Sequence, residues 1–504
     1  MKKCFWVILS IVLTMQICFI SCIDEEKYSS DRSIMLKFSQ DTVSFDTIFT
    51  TVTSVTKQVR IFNPDNEAVK IDYITLASGS NSYFRLNVDG DTSLMAKDIE
   101  IGGKDSIFVF IRCEIDVQNK NNPVLIEDSI IISFNKKRQK VHLMAYGQDA
   151  YYHNPTHTIS SGNTSINYSL ANEGGANSGV IVNGKNISWA NDKPHVIVGT
   201  CAVDSSYILN LQSATKIYMS NNSDFWVYKD GTINATGTTS EPIVFQSVRD
   251  QERYSYLPGQ WGKLWLMAGS KNNILENVLI KNATIGMVAD TCVNNNPTCK
   301  LTNVRIENCS ALGLYSRGAS IEGKNLIVQN TGLYSVALTM GGSYEFIGCT
   351  FANYWKYNSR NKATLLLNDW YESEAHEIIN RPILKADFYN TIIYGSVLED
   401  EIEFDLLGTN TQTWQFNHCL IKSKTLTSSS KGVIACIFNQ DPMFVDVTEN
   451  DLHLQDTSPA IGNGDGIWNS LLPWDIFGVL RLDPPSIGAI ENQNHINKMI
   501  KNRK

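Results

Sequence analysis

Between residues 273 and 422 the chain repeats a short pattern in which two mostly apolar positions, two residues apart, are bracketed by Asn, Gly or Ser. The six repeats begin at Asn277, Asn303, Asn325, Gly348, Asn390 and His418. Their second positions are Val278, Val304, Leu326, Cys349, Thr391 and Cys419, and their fourth positions are Ile280, Ile306, Val328, Phe351, Ile393 and Ile421. Because side chains alternate between the two faces of a strand, this spacing predicts short strands that bury one face.

The repeats follow one another at intervals of 26, 22, 23, 42 and 28 residues. Such periods are typical of solenoids, in which each coil buries its apolar face against its neighbours. A leucine-rich repeat would place leucine at several fixed positions and add a helical segment to each coil. Leucine is not dominant here, so the pattern favours a right-handed parallel β-helix, with one or two coils and an excursion inside the longest interval.

Residues 34–149 have a different pattern, in which apolar and polar residues alternate over short runs separated by turn-forming residues. Val59–Ile61, Ile107–Ile111 and Val141–Ala145 are examples. About seven such runs predict an antiparallel β-sandwich. The runs Val59-Arg-Ile-Phe-Asn-Pro64 and Leu143-Met-Ala-Tyr-Gly147 resemble immunoglobulin-like domains of the Hydin type. That resemblance implies a spacer or a docking surface.

The part of the chain after Asp149 resembles the right-handed parallel β-helix, or pectin-lyase-like, proteins of bacterial surfaces. The resemblance rests on Thr236–Phe245, Gly259–Gly262 and Asn282–Gly286, and on a C-terminal series from Asp441 to Glu491. The predicted fold class is therefore all-β, with a β-sandwich followed by a β-helix at 156–491. The C-terminal series is expected to cap the solenoid, and residues 492–504 are expected to form a disordered tail.

The N-terminus has the pattern of an export signal. Lys2 and Lys3 precede an apolar run, Phe5–Ile20, that is shorter than a membrane span, and Ser21-Cys22 follows it. This predicts a signal peptide at 1–21 and a tether at 22–33. The Ser-Cys ending resembles a bacterial lipoprotein box, which implies lipid attachment at Cys22; an ordinary signal peptide is the alternative.

The acidic residues that follow Cys22 refine the predicted location. Ile23-Asp24-Glu25-Glu26 is similar to the signal that sends lipoproteins of the Bacteroidetes to the outer face of the outer membrane. A merely solvated linker is the alternative. The expectation is an outer-membrane lipoprotein that is exposed at the cell surface.

Composition and residue spacing limit the classes of partner and of site that the chain is expected to have. The chain has 504 residues, 43% of them hydrophobic and 19% charged, and a net charge of -8, which argues against nucleic acid as a partner. No cysteine or histidine spacing indicates a metal site, and no cofactor is predicted. Cys292 and Cys299 are a candidate disulfide in an oxidising compartment. A monomer is expected.

The long excursion inside the 42-residue interval contains the best polar cluster. Trp370 and Tyr371 can stack on a sugar ring, and Glu372, His376 and Arg381 can bind its hydroxyl or carboxylate groups. These five residues are the candidate glycan-binding site. The alternatives are a solvated loop with Trp370 packed on the solenoid, and acid–base catalysis.

Two further clusters are possible sites. Arg249–Tyr256 with Trp261 and Trp265 suits an acidic glycan, although both tryptophans are equally suited to packing. The acidic run Glu399–Glu403 with Asp405 offers oxygen ligands for calcium, but it lacks the spacing of a calcium loop and favours a solvated edge.

The β-helix family contains polysaccharide lyases and glycosidases, which need fixed catalytic groups at the scissile bond. No catalytic residue can be nominated from the spacing. The expected function is that of a lipid-anchored protein that binds a glycan, or another envelope or extracellular component, without cleaving it. The alternatives are a polysaccharide lyase or glycoside hydrolase acting on an acidic glycan, and a purely structural envelope protein.

Overall fold

The computed structural model describes residues 28–49, 54–115, 124–161, 164–173, 178–249, 254, 256–291, 297–396, 399–407 and 413–492. The predicted signal peptide, Cys22, most of the tether and the tail after residue 492 lie outside the described residues. The chain forms two compact units that divide between Gln148 and Asp149. Within the described ranges no helix is long and apolar enough to cross a membrane.

In its described ranges the first unit contains nine strands and one short 3-10 helix, Gly79–Asn81. Its strands are β1 (Lys37–Phe38), β2 (Thr42–Phe49), β3 (Lys57–Phe62), β4 (Val69–Leu76), β5 (Phe84–Val88), β6 (Met95–Ile101), β7 (Ser106–Cys113), β8 (Val124–Phe134) and β9 (Lys137–Gln148).

These strands form a β-sandwich, with a four-stranded sheet in the order β1-β3-β7-β5 and a five-stranded sheet in the order β2-β9-β8-β4-β6. The inward residues of both sheets, such as Phe45, Phe84 and Phe134, form one buried core. The sandwich is not wholly antiparallel, because β2 pairs with β9 in parallel. The chain passes from the first sheet to the second between Phe38 and Thr42, and β2 then runs in the same direction as β9.

The second unit contains the other strands and a 3-10 helix, Gly466–Ser470. Its strands are β10 (Tyr151–His153), β11 (His157–Ser161), β12 (Thr164–Leu170), β13 (Val180–Asn183), β14 (Asn186–Trp189), β15 (His195–Ile197), β16 (Thr200–Val203), β17 (Ile208–Leu211), β18 (Lys216–Met219), β19 (Phe225–Val227), β20 (Thr232–Thr236), β21 (Ile243–Ser247), β22 (Leu264–Leu266), β23 (Asn273–Lys281), β24 (Ile285–Asp290), β25 (Cys299–Cys309), β26 (Leu312–Arg317), β27 (Ser320–Lys324), β28 (Ile327–Thr331), β29 (Val336–Thr339), β30 (Gly342–Ile347), β31 (Thr350–Asn353), β32 (Leu365–Asn368), β33 (Trp370–Glu372), β34 (Ile378–Asn380), β35 (Ile383–Tyr389), β36 (Ile392–Gly395), β37 (Ile402–Asp405), β38 (Trp414–Asn417), β39 (Leu420–Ile421), β40 (Val433–Ile434), β41 (Ile437–Phe438), β42 (Phe444–Asp446) and β43 (Asp451–Leu454).

Most of these strands stack in parallel into a three-sided β-helix, as the repeat predicted. Side A contains β14, β17, β20, the first half of β23 and of β25, β27, β30, β35, β38 and β40. Side B contains β10, β15, β18, β21, the second half of β23 and of β25, β28, β31, β36, β39 and β41. Side C contains β12, β16, β19, β22, β24, β26, β29, β32 and β37. The right-handed winding stays a prediction.

The six sequence repeats are the coils of side B. Every residue at their second and fourth positions is buried, from Val278 at 2% exposure to Ile421 at 0%. The first position turns the chain from side A to side B with a positive φ, which Asn and Gly adopt readily; Asn303 has φ 53° and Gly348 has φ 61°. The 42-residue interval is a single coil, because β31 pairs directly with β36.

Residues 441–492 lie against the outer surface of side B instead of continuing the stack. Phe444, Leu454, Ile476 and Ile487 pack there on outward residues of side B such as Ile392. This apolar contact explains why the segment is ordered although it contains few strands.

Arg481 fixes this segment at the corner between sides A and B. Asn325 Nδ2 donates to Asn303 Oδ1 (2.9 Å), and Arg481 Nη2 donates to Asn325 Oδ1 (2.7 Å). Gly348 leaves room for the guanidinium, since a Cβ there would lie 3.1 Å from Arg481 Nη2. Arg481 donates to the Ser486 and Gly488 carbonyls, and Asp475 and Glu491 act on it electrostatically.

A buried pair of histidines closes the first coil of the β-helix. His153 Nε2 lies 2.9 Å from His195 Nδ1, and His195 Nε2 donates to the Ala190 carbonyl (2.7 Å). Both rings stack on Trp189, with centroids 4.1 and 4.4 Å away. Burial lowers the pKa of His195 to about 4 and lowers that of His153 well below its usual value. Both rings are therefore neutral at pH 7.

Acid is expected to destabilise the β-helix before its carboxylates titrate. An unfolded histidine has a pKa of about 6.5, so the unfolded chain binds protons that the buried rings exclude. The stabilisation is complete above about pH 6.5 and is lost as the pH falls toward 4. For His195 alone it amounts to roughly 3 kcal/mol. Urea midpoints should fall between pH 7.5 and 5, and should fall less in a His153→Phe, His195→Leu protein. Equal pH slopes would contradict this prediction.

Candidate functional site

The outer surface of side C carries a row of aromatic side chains. Outward residues of successive coils stand in register, with Trp226 beside Trp265, Trp265 beside Val288 and Val288 beside Tyr315. The inward residues on either side of each, such as Phe225 and Leu264, fill the core. Trp226, Trp265 and Tyr315 are each half-buried and form what we call the aromatic row.

Two ion pairs border the aromatic row. Arg317 forms a bidentate pair with Asp290, through Nε to Oδ1 and Nη2 to Oδ2, both at 2.6 Å. Trp265 Nε1 donates to the same carboxylate (2.9 Å), and the Arg317 guanidinium lies 5.3 Å from the Trp265 ring centre. Lys263 Nζ pairs with Asp224 Oδ2 at 2.8 Å. These contacts hold the Trp265 ring in place and put charged side chains beside the aromatic row.

The predicted excursion is a two-stranded hairpin, β33 and β34, between sides C and A. Trp370 is half-buried, and its Nε1 donates to Asp405 Oδ1 (3.0 Å). Tyr371 is also half-buried. The Glu372 carboxylate and the His376 ring are hydrogen-bonded near the hairpin tip, where the His376 side chain is 87% exposed.

Arg381, at the base of the hairpin, reaches the ends of β24 and β26 beside the Asp290–Arg317 ion pair. Its Nη1 donates to Thr291 Oγ1 (3.2 Å), and its guanidinium lies over Gly318, where a Cβ would come within 2.8 Å of Nη2. Thr291 and Gly318 directly follow Asp290 and Arg317, so Arg381 lies next to that ion pair. Among the described residues no carboxylate lies within ion-pairing distance of Arg381.

The five predicted residues therefore do not form one cluster. Arg381 lies next to the Asp290–Arg317 ion pair, Trp370 is held beside Asp405, and Glu372 and His376 project at the tip. Sequence reasoning missed Trp226, Tyr315, Asp290 and Arg317. The signal for Trp226 was present in the triplet Phe225-Trp-Val227, which, like Leu264-Trp-Leu266, places a tryptophan between two inward apolar residues.

The second cluster separates into buried and outward residues. Trp261 is 1% exposed and its Nε1 donates to the Lys281 carbonyl (2.9 Å), so it is a packing residue. Trp265 belongs to the aromatic row. Most of Arg249–Tyr256 lies outside the described residues.

The acidic run around Glu401 has protein partners instead of a metal. Glu401 pairs with Arg360, Glu403 with Lys362, and Asp405 accepts from Asn368 Nδ2. Asp400 accepts from the Thr425 amide (3.1 Å). Within the described ranges no group of three acidic, histidine or cysteine side chains could hold a metal ion.

Cys299 is a buried free thiol on β25, whereas its predicted partner Cys292 lies outside the described residues. The disulfide between them stays a prediction.

No family model matches the chain, and no curated protein matches it. A family 123 glycoside hydrolase from Clostridium perfringens is similar at 8% identity and a TM-score of 0.18, over 24% of this chain and 31% of that one. The catalytic unit of a thermostable GH87 α-1,3-glucanase from Streptomyces thermodiastaticus is similar at 10% identity and a TM-score of 0.22, over 72% of this chain and 79% of that one. A PapD-like domain of human CEP192 is similar at 11% identity and a TM-score of 0.17, over 25% and 92%.

This chain spans less than a third of the length of the Clostridium enzyme. All three TM-scores are low.

Proposed function

We propose that the protein is a lipid-anchored, surface-exposed protein that binds an acidic glycan on side C of its β-helix without cleaving it. The observation that carries this proposal is the environment of Arg381. Arg381 is half-buried and has no carboxylate partner among the described residues, and its guanidinium lies next to the Asp290–Arg317 ion pair that borders the aromatic row.

The chemistry of the row suits a sugar chain with acidic groups. Aromatic rings offer apolar area to the flat faces of sugars, and their indole and phenol groups add hydrogen bonds. A guanidinium matches the two oxygens of a carboxylate or sulfate group and binds them through paired hydrogen bonds. A partly desolvated cation without a counter-charge is costly, so an anionic ligand at Arg381 would be stabilised.

The carboxylates of side C support binding more than cleavage. Asp224 and Asp290 are held by Lys263 and Arg317, and Glu403 and Asp405 accept from Tyr334 and Trp370. A glycosidase needs two carboxyl groups free to act on opposite sides of the bond. All four carboxylates bind neighbouring donor groups, which supports a role in fixing the side chains of side C.

A glycan array that contains uronic-acid and sulfated chains tests the proposal. Arg381→Gln should weaken retention by roughly 10- to 100-fold, because hydrogen bonds to a charged group contribute about 1.5–3 kcal/mol. Trp370→Ala should weaken it less, since Trp370 lies beside Asp405. Arg305→Gln, on side B of the same solenoid, is the matched control and should bind normally.

Other results would support the alternatives. Release of reducing ends or unsaturated uronate, abolished by His376→Ala or Glu372→Gln, would indicate a hydrolase or lyase. Wild-type retention by the Arg381→Gln protein would contradict the proposed site. No retention of any glycan would favour a structural envelope protein.

The anchor is a separate part of the proposal, and it rests on the sequence around Cys22 alone. Cells grown with labelled palmitate should incorporate label into the wild-type protein and not into a Cys22→Ala protein. Equal labelling of the two would contradict lipid attachment at Cys22. Protease treatment of intact cells tests the surface location independently.

A further inference from the structure

In the described residues, the last coil of the β-helix has a neighbouring coil on one side only. Its strands β40 and β41 contain two residues each and pair with β38 and β39 of the preceding coil. Within the described residues no further strand pairs with them. Residues 441–492, which were expected to cap the stack, lie along side B instead. The last coil therefore has fewer contacts than an internal coil.

Two cysteines face each other across this last step of the stack. Ile437 pairs with Leu420, so Cys436 and Cys419, each one residue earlier, are also opposite one another. The Ile437 amide donates to the Cys419 carbonyl (2.8 Å), and the Cys419 amide donates to Cys436 Sγ (3.4 Å). Neighbouring strands lie about 4.8 Å apart, which is within the Cα separation that a disulfide spans.

Both side chains lie in the inward column of side B. This column reads Val278, Val304, Leu326, Cys349, Thr391 and Cys419, and the last coil extends it to Cys436. Cys436 occupies the second position of a seventh repeat, Ala435–Asn439, whose Ala435 has φ 48° like the first residues of the others. Cys349 has Leu326 and Thr391 as column neighbours, so only the last two cysteines of the column are adjacent.

The two thiols differ in a way that favours reaction at Cys436. Cys419 is fully buried, and burial raises its pKa. Cys436 is half-buried at the open end, and a hydrogen bond from the Cys419 thiol lowers its pKa. A more accessible thiol with a larger thiolate fraction attacks a disulfide faster.

We propose that Cys419 and Cys436 form a disulfide that fastens the last coil of the β-helix to the coil before it. The oxidant is a disulfide compound. The Cys436 thiolate attacks one of its sulfur atoms, forms a mixed disulfide and releases one thiolate. The Cys419 thiolate then attacks Cys436 Sγ, closes the protein disulfide and releases the second thiolate. Two protein thiols lose two electrons and two protons, and the oxidant is reduced to two thiols.

The bond would act as a covalent clamp at the end of the stack. It closes a loop around the 16 residues between the two cysteines, which include β39 and β40. Cross-linking such a loop limits the unfolded chain and stabilises the coil against fraying.

The test uses the reduced full-length protein exposed to glutathione disulfide. After alkylation of the remaining thiols and digestion by trypsin, the peptides that contain Cys419 and Cys436 should be joined, two hydrogen atoms lighter than their sum. Lys422, Lys424 and Lys431 lie between the cysteines, so trypsin separates them unless they are linked. Reduction before digestion should restore two separate peptides.

Two controls decide the interpretation. Cys349 should remain alkylated in the same sample, and Cys436→Ser should leave Cys419 unlinked. Full alkylation of both Cys419 and Cys436 after oxidation would overturn the proposal, and so would glutathione that stays on Cys436. Equal linkage of Cys349 would indicate oxidation of an unfolded chain and would also overturn it.

Discussion

A protein carrying Ile306→Asp is expected to unfold its β-helix under conditions in which the wild type is fully folded. Ile306 is 0% exposed and lies on β25 between Ile280 and Val328. Loss of the apolar side chain costs about 2–5 kcal/mol. The introduced carboxylate would have no partner in an apolar column, which adds a cost of several kcal/mol. Together these approach the total stability of a typical domain, which is about 5–15 kcal/mol.

Circular dichroism during urea unfolding measures this effect, and Thr302→Asp is the matched control. Thr302 lies on the same strand, is half-buried and has Lys324 as its neighbour in the next coil. The Thr302→Asp change should therefore shift the urea midpoint only slightly. A wild-type midpoint for Ile306→Asp would show that the side chain does not face the core.

Glu401→Gln is the second change expected to have a large effect. Arg360 donates to Glu401 through Nη1 (2.9 Å) and Nη2 (2.6 Å), and Thr364 Oγ1 donates to it at 2.7 Å. The two charged side chains are 2% and 0% exposed. Loss of one partner of such a pair leaves a buried, uncompensated charge and typically costs about 3–5 kcal/mol.

Two comparisons separate this cost from a general sensitivity of the region. Glu399→Ala removes one partner of a pair with Lys424 whose side chains are 75% and 65% exposed, and it should change the free energy of unfolding by about 1 kcal/mol or less. An Arg360→Met, Glu401→Leu protein should regain most of the stability, because apolar side chains can replace a buried pair. A double variant no more stable than Glu401→Gln would contradict the assigned cause.

Side B was the part of the fold most readable from the sequence. Its coils turn from side A at Asn or Gly residues with positive φ, such as Asn303 and Gly348. These residues mark the start of each repeat in the sequence. The turns into side C also contain Asn with positive φ, such as Asn282 and Asn308, but the excursions at 354–364 and 369–382 interrupted the regular spacing of sides A and C. Residues 156–195 are rich in Gly, Asn and Ser, a composition that indicates irregular structure, yet they form the hairpins β11–β12 and β13–β14.

The site was only partly readable for a related reason. Arg381 was identified because an excursion stood out from the repeat. Asp290 and Arg317 are 27 residues apart, and they meet only because β24 and β26 occupy adjacent coils. A contact of this kind depends on the register of side C, which was not assigned from the sequence.

The position of residues 441–492 also has a consequence for how the chain folds. From β15 onward, coils of side B contact their neighbours over intervals of 17–42 residues, so the stack can grow as soon as the chain emerges. The Arg481 to Asn325 bond spans 156 residues. Formation of such long-range contacts has a large loop-closure entropy cost, so this segment docks late. The apolar surface of side B around Ile392 would then stay open in the nascent protein, and this interval is when export factors or aggregation would compete for it.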